Sequence, residues 1–438
     1  MGRIYEVRDP IHGFVSLNEW ERDIINHPVF QRLRRIRQLS LTDMVYPGAM
    51  HTRFEHSLGV MHVATRMFDR ICEKRSDFLK SELGFNDFGL DRDRVLVRLS
   101  CLLHDVGHAP FSHAAEGLMD KDPSGKAYKH ENYSAAAVAF LMRDVIEDHP
   151  SNQNYHIKAQ DIADFLNGDT NLERSLVWCD LVSSQLDADR ADYLLRDSHH
   201  TGVAYGHYDL HRLIATLTVA IDPDTSSPVL AVEEGGEHAA EALIIARYMM
   251  FTQVYFQHTR RAFDQHSVEA VRLLLSENQR ESNLSNQRAF PPPTSKEYIE
   301  EYVKWDDWRV LGMISEGKGG EHGGILMSRK HHRAVFETAE IPGPRDEKFV
   351  ADIQEKLGPD VGFVDCATSS WYKFDSADVP VLLRPEQSDG ELTTLSARSS
   401  VVRGLMPVER TRVYVPFERR TEARKLVAEM RQAKENTI

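Results

Sequence analysis

Histidines, and one histidine–aspartate pair above all, are the residues of this sequence best suited to chemistry. The 21 histidines are concentrated in short segments such as HTRFEHSLG, HDVGHAPFSH, KHEN and RDSHH. His104 and Asp105 end a run of apolar residues at helical spacing, which extends from Val95 to Leu103. A buried imidazole and a buried carboxylate need a partner, because an unpaired buried polar group is costly. Imidazole and carboxylate oxygen together suit Zn, Fe, Mn or Mg, so the pair predicts a divalent metal ion.

The elements that must position these residues are predicted to be mainly helices. Gly107 and Pro110 end the helix that carries His104. Residues 176–198 and 239–277 predict two long helices, and a drifting apolar stripe at residues 30–39 predicts another. Alternating β-branched residues at 216–232 predict a small hairpin.

The last third of the chain has a different pattern. Residues 282–294, SNLSNQRAFPPPT, are polar and then proline-rich, which predicts a connector. We therefore expect a mainly α fold with a helical domain at residues 1–281, which holds the metal and substrate site. A smaller mixed α+β lobe, a candidate for oligomerisation, is expected at residues 295–438. Its predicted helices cover 295–315, 328–338 and 418–434, and its predicted strands cover 361–367, 379–383 and 412–417.

Composition and charge exclude several classes of protein. The formal net charge of −14 argues against a nucleic-acid partner, which would require a basic surface. The four cysteines are scattered, so they predict neither a disulfide framework nor a Cys-rich zinc site, and they suit the cytoplasm. No apolar stretch is long enough for a membrane span, and no P-loop or dinucleotide-binding glycine motif occurs.

Two residues far from the pair complete a recognisable pattern. His104-Asp105, with His56 upstream and Asp189 downstream, resembles the H…HD…D signature of HD-domain phosphohydrolases. Within that superfamily the chain resembles the deoxynucleoside triphosphate triphosphohydrolases over roughly residues 5–270. The segments that carry this resemblance are FQRLRRIRQL, YPGAMHTRFEHSLGV, LLHDVGHAPFSH, KHEN and LDADRADYLLRDSHHTG.

The resemblance implies a helical HD core and a role for each matching residue. Those roles are metal ligation by His56, His104, Asp105 and Asp189, and phosphate contact by Arg53 and Arg190. Sugar contact is implied for Gln38, Tyr193 and Asp197. Catalysis near the phosphates is implied for His108, His113 and His130, with Glu131 orienting His130.

The implied reaction is hydrolysis of a deoxynucleoside triphosphate to deoxynucleoside and inorganic triphosphate. The metal would polarise the α-phosphate and lower the pKa of water. His113 or His130 would protonate the leaving 5′-oxygen, and the sequence does not choose between them. Two alternatives stay open: a phosphatase of nucleoside monophosphates or of another phosphoester, and a nucleotide-sensing regulatory protein.

Asn26, Gln31 and Arg34 match a regulatory nucleotide site between subunits of the mammalian family member. An amide at position 26 cannot replace the guanine-accepting carboxylate found there. Two interpretations stay open: a nucleotide site with altered base preference, in which Arg34 binds the phosphate chain, and a structural role in which Asn26 caps the helix that begins near Pro28. We favour the capping role. We expect a constitutive homo-oligomer, from dimer to hexamer, with an arginine-rich surface near residues 32–37 at a subunit contact and no strict need for GTP.

Three further segments have simpler interpretations. We expect Asp187 to cap or brace its helix rather than bind the metal. Residues 254–258, VYFQH, fit core packing and contact with substrate equally well. His331 and His332 have no acidic partner at ligand spacing, and we expect them at the surface.

Overall fold

The computed structural model describes residues 3–168, 170–279, 289–369, 378–385 and 390–435. Helices dominate it, so the prediction of a mainly α fold is confirmed. The helices of the first two thirds of the chain are α1 (Glu19–Asn26), α2 (Pro28–Gln31), α3 (Arg53–Ser81), α4 (Asp87–Leu103), α5 (His130–Leu141), α6 (Arg143–Glu147), α7 (Ala159–Asn167), α8 (Ala188–Thr201), α9 (Leu210–Thr216), α10 (Glu237–Met250) and α11 (His258–Gln279). The later ones are α12 (Lys296–Tyr302), α13 (Asp307–Ser315), α14 (Gly320–Ser328), α15 (Pro344–Leu357), α16 (Leu395–Arg398), α17 (Ser400–Arg403) and α18 (Arg420–Glu435).

The described strands form three small sheets. An antiparallel hairpin joins β1 (Tyr5–Asp9) to β2 (Gly13–Leu17). The second sheet has the order β3 (Leu217–Ile221), β4 (Pro228–Glu233), β7 (Pro380–Leu382) and β8 (Leu392–Thr394), with only the β4–β7 pair parallel. The third places β9 (Val408–Val415) between β5 (Arg333–Glu337) and β6 (Phe363–Ser369). The predicted hairpin at 216–232 is therefore confirmed.

Helix α3 runs through the centre of the helical core and packs against α4 and α8. One large apolar core is built by the first eleven helices and extends into the C-terminal region through residues such as Phe290, Tyr302 and Val310. A second, smaller core lies between the third sheet and helices α15 and α18. Most of the predicted connector, residues 282–288, lies outside the described residues, and the domain boundaries stay a prediction.

Several predicted helices have different limits in the structure. The helix expected at 176–198 is a 3-10 helix (Thr170–Leu181) followed by a loop and then α8. The helix expected at 239–277 is interrupted by a π-helical turn, Phe251–Tyr255. The helix expected at 328–338 was wrong, because α14 ends at Ser328 and the chain continues as β5. The stripe at 30–39 forms only the short α2 and a 3-10 turn, Arg32–Arg35.

Two features of the loop after α4 bring the site together. A Cβ at Gly107 would lie 2.1 Å from the Ser134 nitrogen and 2.6 Å from the His130 carbonyl oxygen, so only glycine lets this loop touch the start of α5. Phe111 and Ser112 both have positive φ, 60° and 55°, a conformation that costs free energy in non-glycine residues. The Asp307 carboxylate holds this turn by accepting from the Phe111 N–H at 2.7 Å.

Candidate metal and substrate site

The ends of three helices bring the predicted metal ligands together. His56 lies in the first turn of α3, His104 directly follows α4, and Asp189 lies in the first turn of α8. Nε2 of His56 lies 2.9 Å from an Asp189 carboxylate oxygen, and Nε2 of His104 lies 3.8 Å from the same oxygen. Asp105 completes the group, because its two oxygens lie 3.3 Å from His104 Nε2 and 3.7 Å from His56 Nε2.

The hydrogen bonds of the two histidine rings show which kind of charge this group attracts. His104 Nδ1 donates to the Cys101 carbonyl at 2.7 Å, and its buried Nε2 has no hydrogen-bond partner. His56 Nδ1 lies 2.7 Å from Asp192 Oδ2 and His56 Nε2 lies 2.9 Å from Asp189 Oδ1, so both ring nitrogens face a carboxylate. Burial opposes charge on His56, but the hydrogen bonds with Asp189 and Asp192 raise its pKa to about 10. The group therefore attracts a positive charge, and its nitrogen and oxygen donors fit a divalent cation.

Arg53, the first residue of α3, is buried beside these ligands. Its Nη1 donates to Asp105 Oδ2 at 2.5 Å, and its Nε donates to the Ser112 hydroxyl at 2.8 Å. Burial alone would raise the pKa of Asp105, but the charges of Arg53, His104 and His108 hold it well below its usual range. Asp105 is thus ionised, as a metal ligand must be.

The three histidines predicted to be catalytic form a second group in the same cleft. The His108 and His130 rings stack at 3.9 Å, and the His113 ring stands edge-on to both, at 4.9 and 5.4 Å. His108 is fully buried and neither of its nitrogens has a hydrogen-bond partner, whereas most of the His113 side chain is exposed. His108 Nε2 lies 3.2 Å from Asp105 Oδ1, so this group adjoins the metal ligands.

Glu116 is the functional residue that our sequence analysis missed in this group. Its two carboxylate oxygens lie 2.5 Å from His130 Nδ1 and 3.1 Å from His113 Nδ1. Glu131, which we expected to orient His130, lies 3.4 Å from the same Nδ1 and is therefore the more distant carboxylate. Burial disfavours charge on His130, but the hydrogen bond with Glu116 raises its pKa. HAAE spacing places His113 and Glu116 one turn apart, a signal available in the sequence.

Two adjoining cavities, of about 530 and 440 Å³, open over the metal ligands. Both are lined by six of the predicted residues: Gln38, Arg53, His113, Asp189, Arg190 and Tyr193. Arg190 Nη1 donates to the Ser184 carbonyl and to the Asp187 carboxylate. Asp187 also caps α8 by accepting from the Arg190 N–H at 2.7 Å, which confirms that it braces the helix.

The second cavity extends from the metal ligands toward the π-helical turn. Asp197, at its wall, is held by His51 Nε2 at 2.7 Å and by the Tyr255 hydroxyl, which donates at 2.6 Å. Gln38 is buried and its side-chain oxygen has no hydrogen-bond partner. Tyr255 and Phe256 are buried and also line this cavity, so core packing of the segment VYFQH is confirmed, and its contact with substrate stays a prediction.

The segment that matched a regulatory nucleotide site differs from expectation. Asn26 is exposed at the end of α1, and the residue that caps α2 is His27, whose Nδ1 accepts from the Val29 N–H at 3.3 Å. The capping prediction for Asn26 was therefore wrong. Gln31 and Arg34 bond each other at 3.0 Å, and the Arg34 guanidinium lies over the Phe54 ring.

The predicted arginine-rich surface at residues 32–37 was also wrong. Arg32 is only 1% exposed and donates to backbone carbonyls in the core. Arg35 pairs with Asp306 at 2.5 Å and Arg37 with Asp43 at 2.6 Å. Of these four arginines Arg34 is exposed, whereas Arg32 lies in the core and Arg35 and Arg37 pair with acidic residues.

His331 and His332 are not surface residues either. His331 is buried against the Phe263 ring, and His332 is half-buried with its backbone N–H donating to His266 Nε2 at 3.1 Å. His266 Nδ1 in turn lies 2.9 Å from Nδ1 of His322. The described part of the chain brings no carboxylate into a metal-binding group with these histidines, which instead join α11, α14 and β5.

The four predicted metal ligands lie in a part of the chain that matches a known protein family. The HD domain family matches residues 53–195, and the HD-associated region matches residues 208–287. The uncharacterized protein YwfO of Bacillus subtilis is 29% identical over 93% of this chain and 91% of its own length. A Dictyostelium discoideum protein, named as a deoxynucleoside triphosphate triphosphohydrolase SAMHD1 homolog, is 34% identical over 45% of this chain and 36% of its own. The chain thus spans about a third of that relative.

A solved structure extends the similarity to the whole chain. The crystal structure of a hypothetical protein from Aquifex aeolicus superposes with a TM-score of 0.76 and 28% identity, covering 97% of this chain and 99% of that one. These matches define the class: the chain contains an HD domain at residues 53–195, followed by the HD-associated region at residues 208–287. Within that class, its relatives include proteins named as deoxynucleoside triphosphate triphosphohydrolases. Every helix of the described chain is too short or too polar to cross a membrane.

Proposed function

We propose that the protein is a metal-dependent hydrolase of deoxynucleoside triphosphates that releases deoxynucleoside and inorganic triphosphate. The observation that carries the proposal is the common cleft, in which the metal-binding group, two arginines and a histidine–glutamate group face the same space. The relatives named as triphosphohydrolases support the choice of substrate. The cytoplasmic location and the homo-oligomer stay predictions from the sequence.

In this proposal, His56, His104, Asp105 and Asp189 hold the divalent ion. The chemistry that such an ion supplies is polarisation of a phosphate oxygen and a lowered pKa of water. Two carboxylates and two neutral imidazoles leave positions on a six-coordinate ion for substrate and solvent. The identity of the metal among Mn, Mg, Fe and Zn is open, because these donors suit all of them.

The remaining residues of the cleft bind and orient the nucleotide. Arg53 and Arg190 neutralise charge that develops on the phosphate chain. His113 or His130 donates a proton to the leaving 5′-oxygen, and Glu116 keeps the His130 ring oriented and its pKa raised. Gln38, Tyr193 and Asp197 face the sugar, and the unpartnered Gln38 oxygen is placed to accept from a hydroxyl.

The test compares Arg190→Ala with Arg190→Lys on two substrates. On a deoxynucleoside triphosphate, Arg190→Ala should lower kcat/KM by about 100-fold, as expected for a charge that stabilises the transition state. On a small phosphodiester, which lacks the outer phosphates, the loss should be far smaller. Arg190→Lys keeps the charge and should retain most activity on both substrates. Equal losses on both substrates would contradict a contact with the phosphate chain.

A further inference from the structure

A closed set of hydrogen bonds joins the metal ligand His56 to the N-terminal hairpin. Asp192 contacts His56 Nδ1 through one carboxylate oxygen at 2.7 Å and His12 Nε2 through the other at 2.6 Å. Arg196 donates to the same two oxygens from Nε and Nη2, both at 2.8 Å. Its remaining nitrogen, Nη1, donates to Asp9 Oδ2 at 2.9 Å. The guanidinium therefore links two carboxylates that come from distant parts of the chain.

The hairpin turn is itself fixed by Asp9. Its Oδ1 accepts from the backbone N–H groups of Ile11 and His12, each at 2.8 Å, so the turn between β1 and β2 holds its shape. The His12 side chain is 2% exposed, and Asp192 and Arg196 are fully buried. A buried ionic network of this kind is stable only when every member is bonded, as it is here.

Gly59 shows how tightly this network packs against α3. It lies three residues after His56, and a Cβ there would be 1.9 Å from an Asp192 oxygen and 2.4 Å from Arg196 Nη2. The Asp192 carboxylate therefore occupies the space that the side chain of any residue other than glycine would fill at position 59. Asp192 reaches His56 only because this turn of the helix has no side chain.

The bonds of Asp192 determine which nitrogen of His56 carries a proton. An ionised carboxylate accepts only, so it receives a hydrogen from His56 Nδ1 and another from His12 Nε2. With Nδ1 held by Asp192, the His56 ring directs Nε2 toward Asp189 and the metal group, where it would bind the ion in place of its proton. A ligating histidine held in this way by a carboxylate is better oriented and more basic.

We propose that the N-terminal hairpin is part of the metal site, with His12, Asp9, Arg196 and Asp192 acting as positioning residues for His56. The hairpin lies outside the residues that match the HD domain family. The inference rests on the proposed function in one respect, that His56 is a metal ligand. It does not depend on which phosphoester is hydrolysed.

The test measures Mn²⁺ affinity of the metal-free full chain by titration calorimetry. Asp192→Asn should weaken Mn²⁺ binding by about 10- to 100-fold, the usual effect of losing such an outer partner. His12→Leu should weaken it by about fivefold, as expected for one lost hydrogen bond, whereas His12→Gln keeps a donor and should bind as wild type. The matched control is Asp93→Asn, a buried carboxylate bonded to Ser175 and Trp178, which should leave the affinity unchanged.

The outcomes separate this inference from the proposed function. Unchanged affinity in Asp192→Asn, or equal losses in Asp192→Asn and Asp93→Asn, would overturn it. Equal affinities for His12→Leu and His12→Gln would also overturn it, and these variants keep the test valid if Asp192→Asn does not fold. Wild-type affinity in His56→Ala would instead refute the metal centre itself. Weakened binding without hydrolysis of any nucleotide would support the hairpin's role and contradict the proposed function.

Discussion

Replacing Arg32 by leucine removes a buried guanidinium that ties three separate segments together. Arg32 donates to the carbonyl oxygen of Trp305 from Nε and Nη2, at 2.9 and 2.6 Å. It also donates to the carbonyl oxygens of Val106 at 3.2 Å and His108 at 2.8 Å. Val106 and His108 lie in the loop that follows the metal ligands His104 and Asp105. The substitution therefore tests whether this arginine supports the site from within the core.

The size of the effect follows from the acceptors that lose their donor. Each buried carbonyl left unsatisfied costs about 1–3 kcal/mol, so three of them cost about 3–9 kcal/mol. The wild-type protein also bears the cost of desolvating the Arg32 guanidinium, and leucine removes that cost. This gain offsets part of the loss from the three carbonyl groups and leaves a destabilisation of about 3–5 kcal/mol. At about 2 °C per kcal/mol, the midpoint of thermal unfolding should fall by about 6–10 °C.

The assay is scanning calorimetry of Arg32→Leu beside Arg34→Leu, which is the matched control. Arg34 lies two residues away but is exposed, and within the described part of the chain its guanidinium bonds Gln31 and lies over the Phe54 ring. Its replacement should change the midpoint by no more than about 1 °C, since surface substitutions usually stay within about 0.5 kcal/mol. Equal shifts for the two variants, or a stable Arg32→Leu protein, would refute the reasoning.

Three other expectations concern pH and substrate choice. Burial opposes charge on His130, yet Glu116 raises its pKa, so Glu116→Gln should move the alkaline limb of kcat/KM to lower pH; an unmoved limb would show that His130 is not the acid. Tyr193 beside the sugar should crowd a 2′-hydroxyl, so dGTP should be hydrolysed faster than GTP, and equal rates would contradict this. Burial lowers the pKa of His266 to about 3, so the unfolded chain takes up its proton first. The free energy of unfolding should therefore fall as pH drops from about 6.5 toward 3, less steeply in His266→Gln, and identical pH profiles would refute this.

The His104–Asp105 pair of the metal-binding group was predictable from a local pattern, whereas the roles of His56 and Asp189 were implied by the family resemblance. His104 and Asp105 follow an apolar helix whose end is indicated by Gly107 and Pro110. Asp189 lies one turn before Tyr193 on the same helix face. The mainly helical character of the chain was also predictable, since apolar periodicity is a local signal, but the limits of several helices were not. The breaks at residues 182–187 and at the π-helical turn were not, because they depend on what packs against these segments.

Residues whose roles come from distant contacts escaped prediction. Arg32 resembled its exposed neighbour in a run of arginines, and only the backbone of Trp305, far along the chain, makes it a core residue. His12 carries no motif, and its place depends on the hairpin meeting α8 at Asp192. Burial of His331 likewise follows from its contact with Phe263. Sequence spacing does not indicate such contacts between distant segments, because they depend on the tertiary fold.

The most direct test of the proposed function is the identity of the products formed from dGTP. The purified protein with Mn²⁺ would be incubated with dGTP, and the products separated by anion-exchange chromatography. The proposed function predicts deoxyguanosine and inorganic triphosphate in equal amounts, and no product with Asp105→Ala, which removes a metal ligand. Orthophosphate or pyrophosphate in place of triphosphate, or full activity in Asp105→Ala, would contradict it.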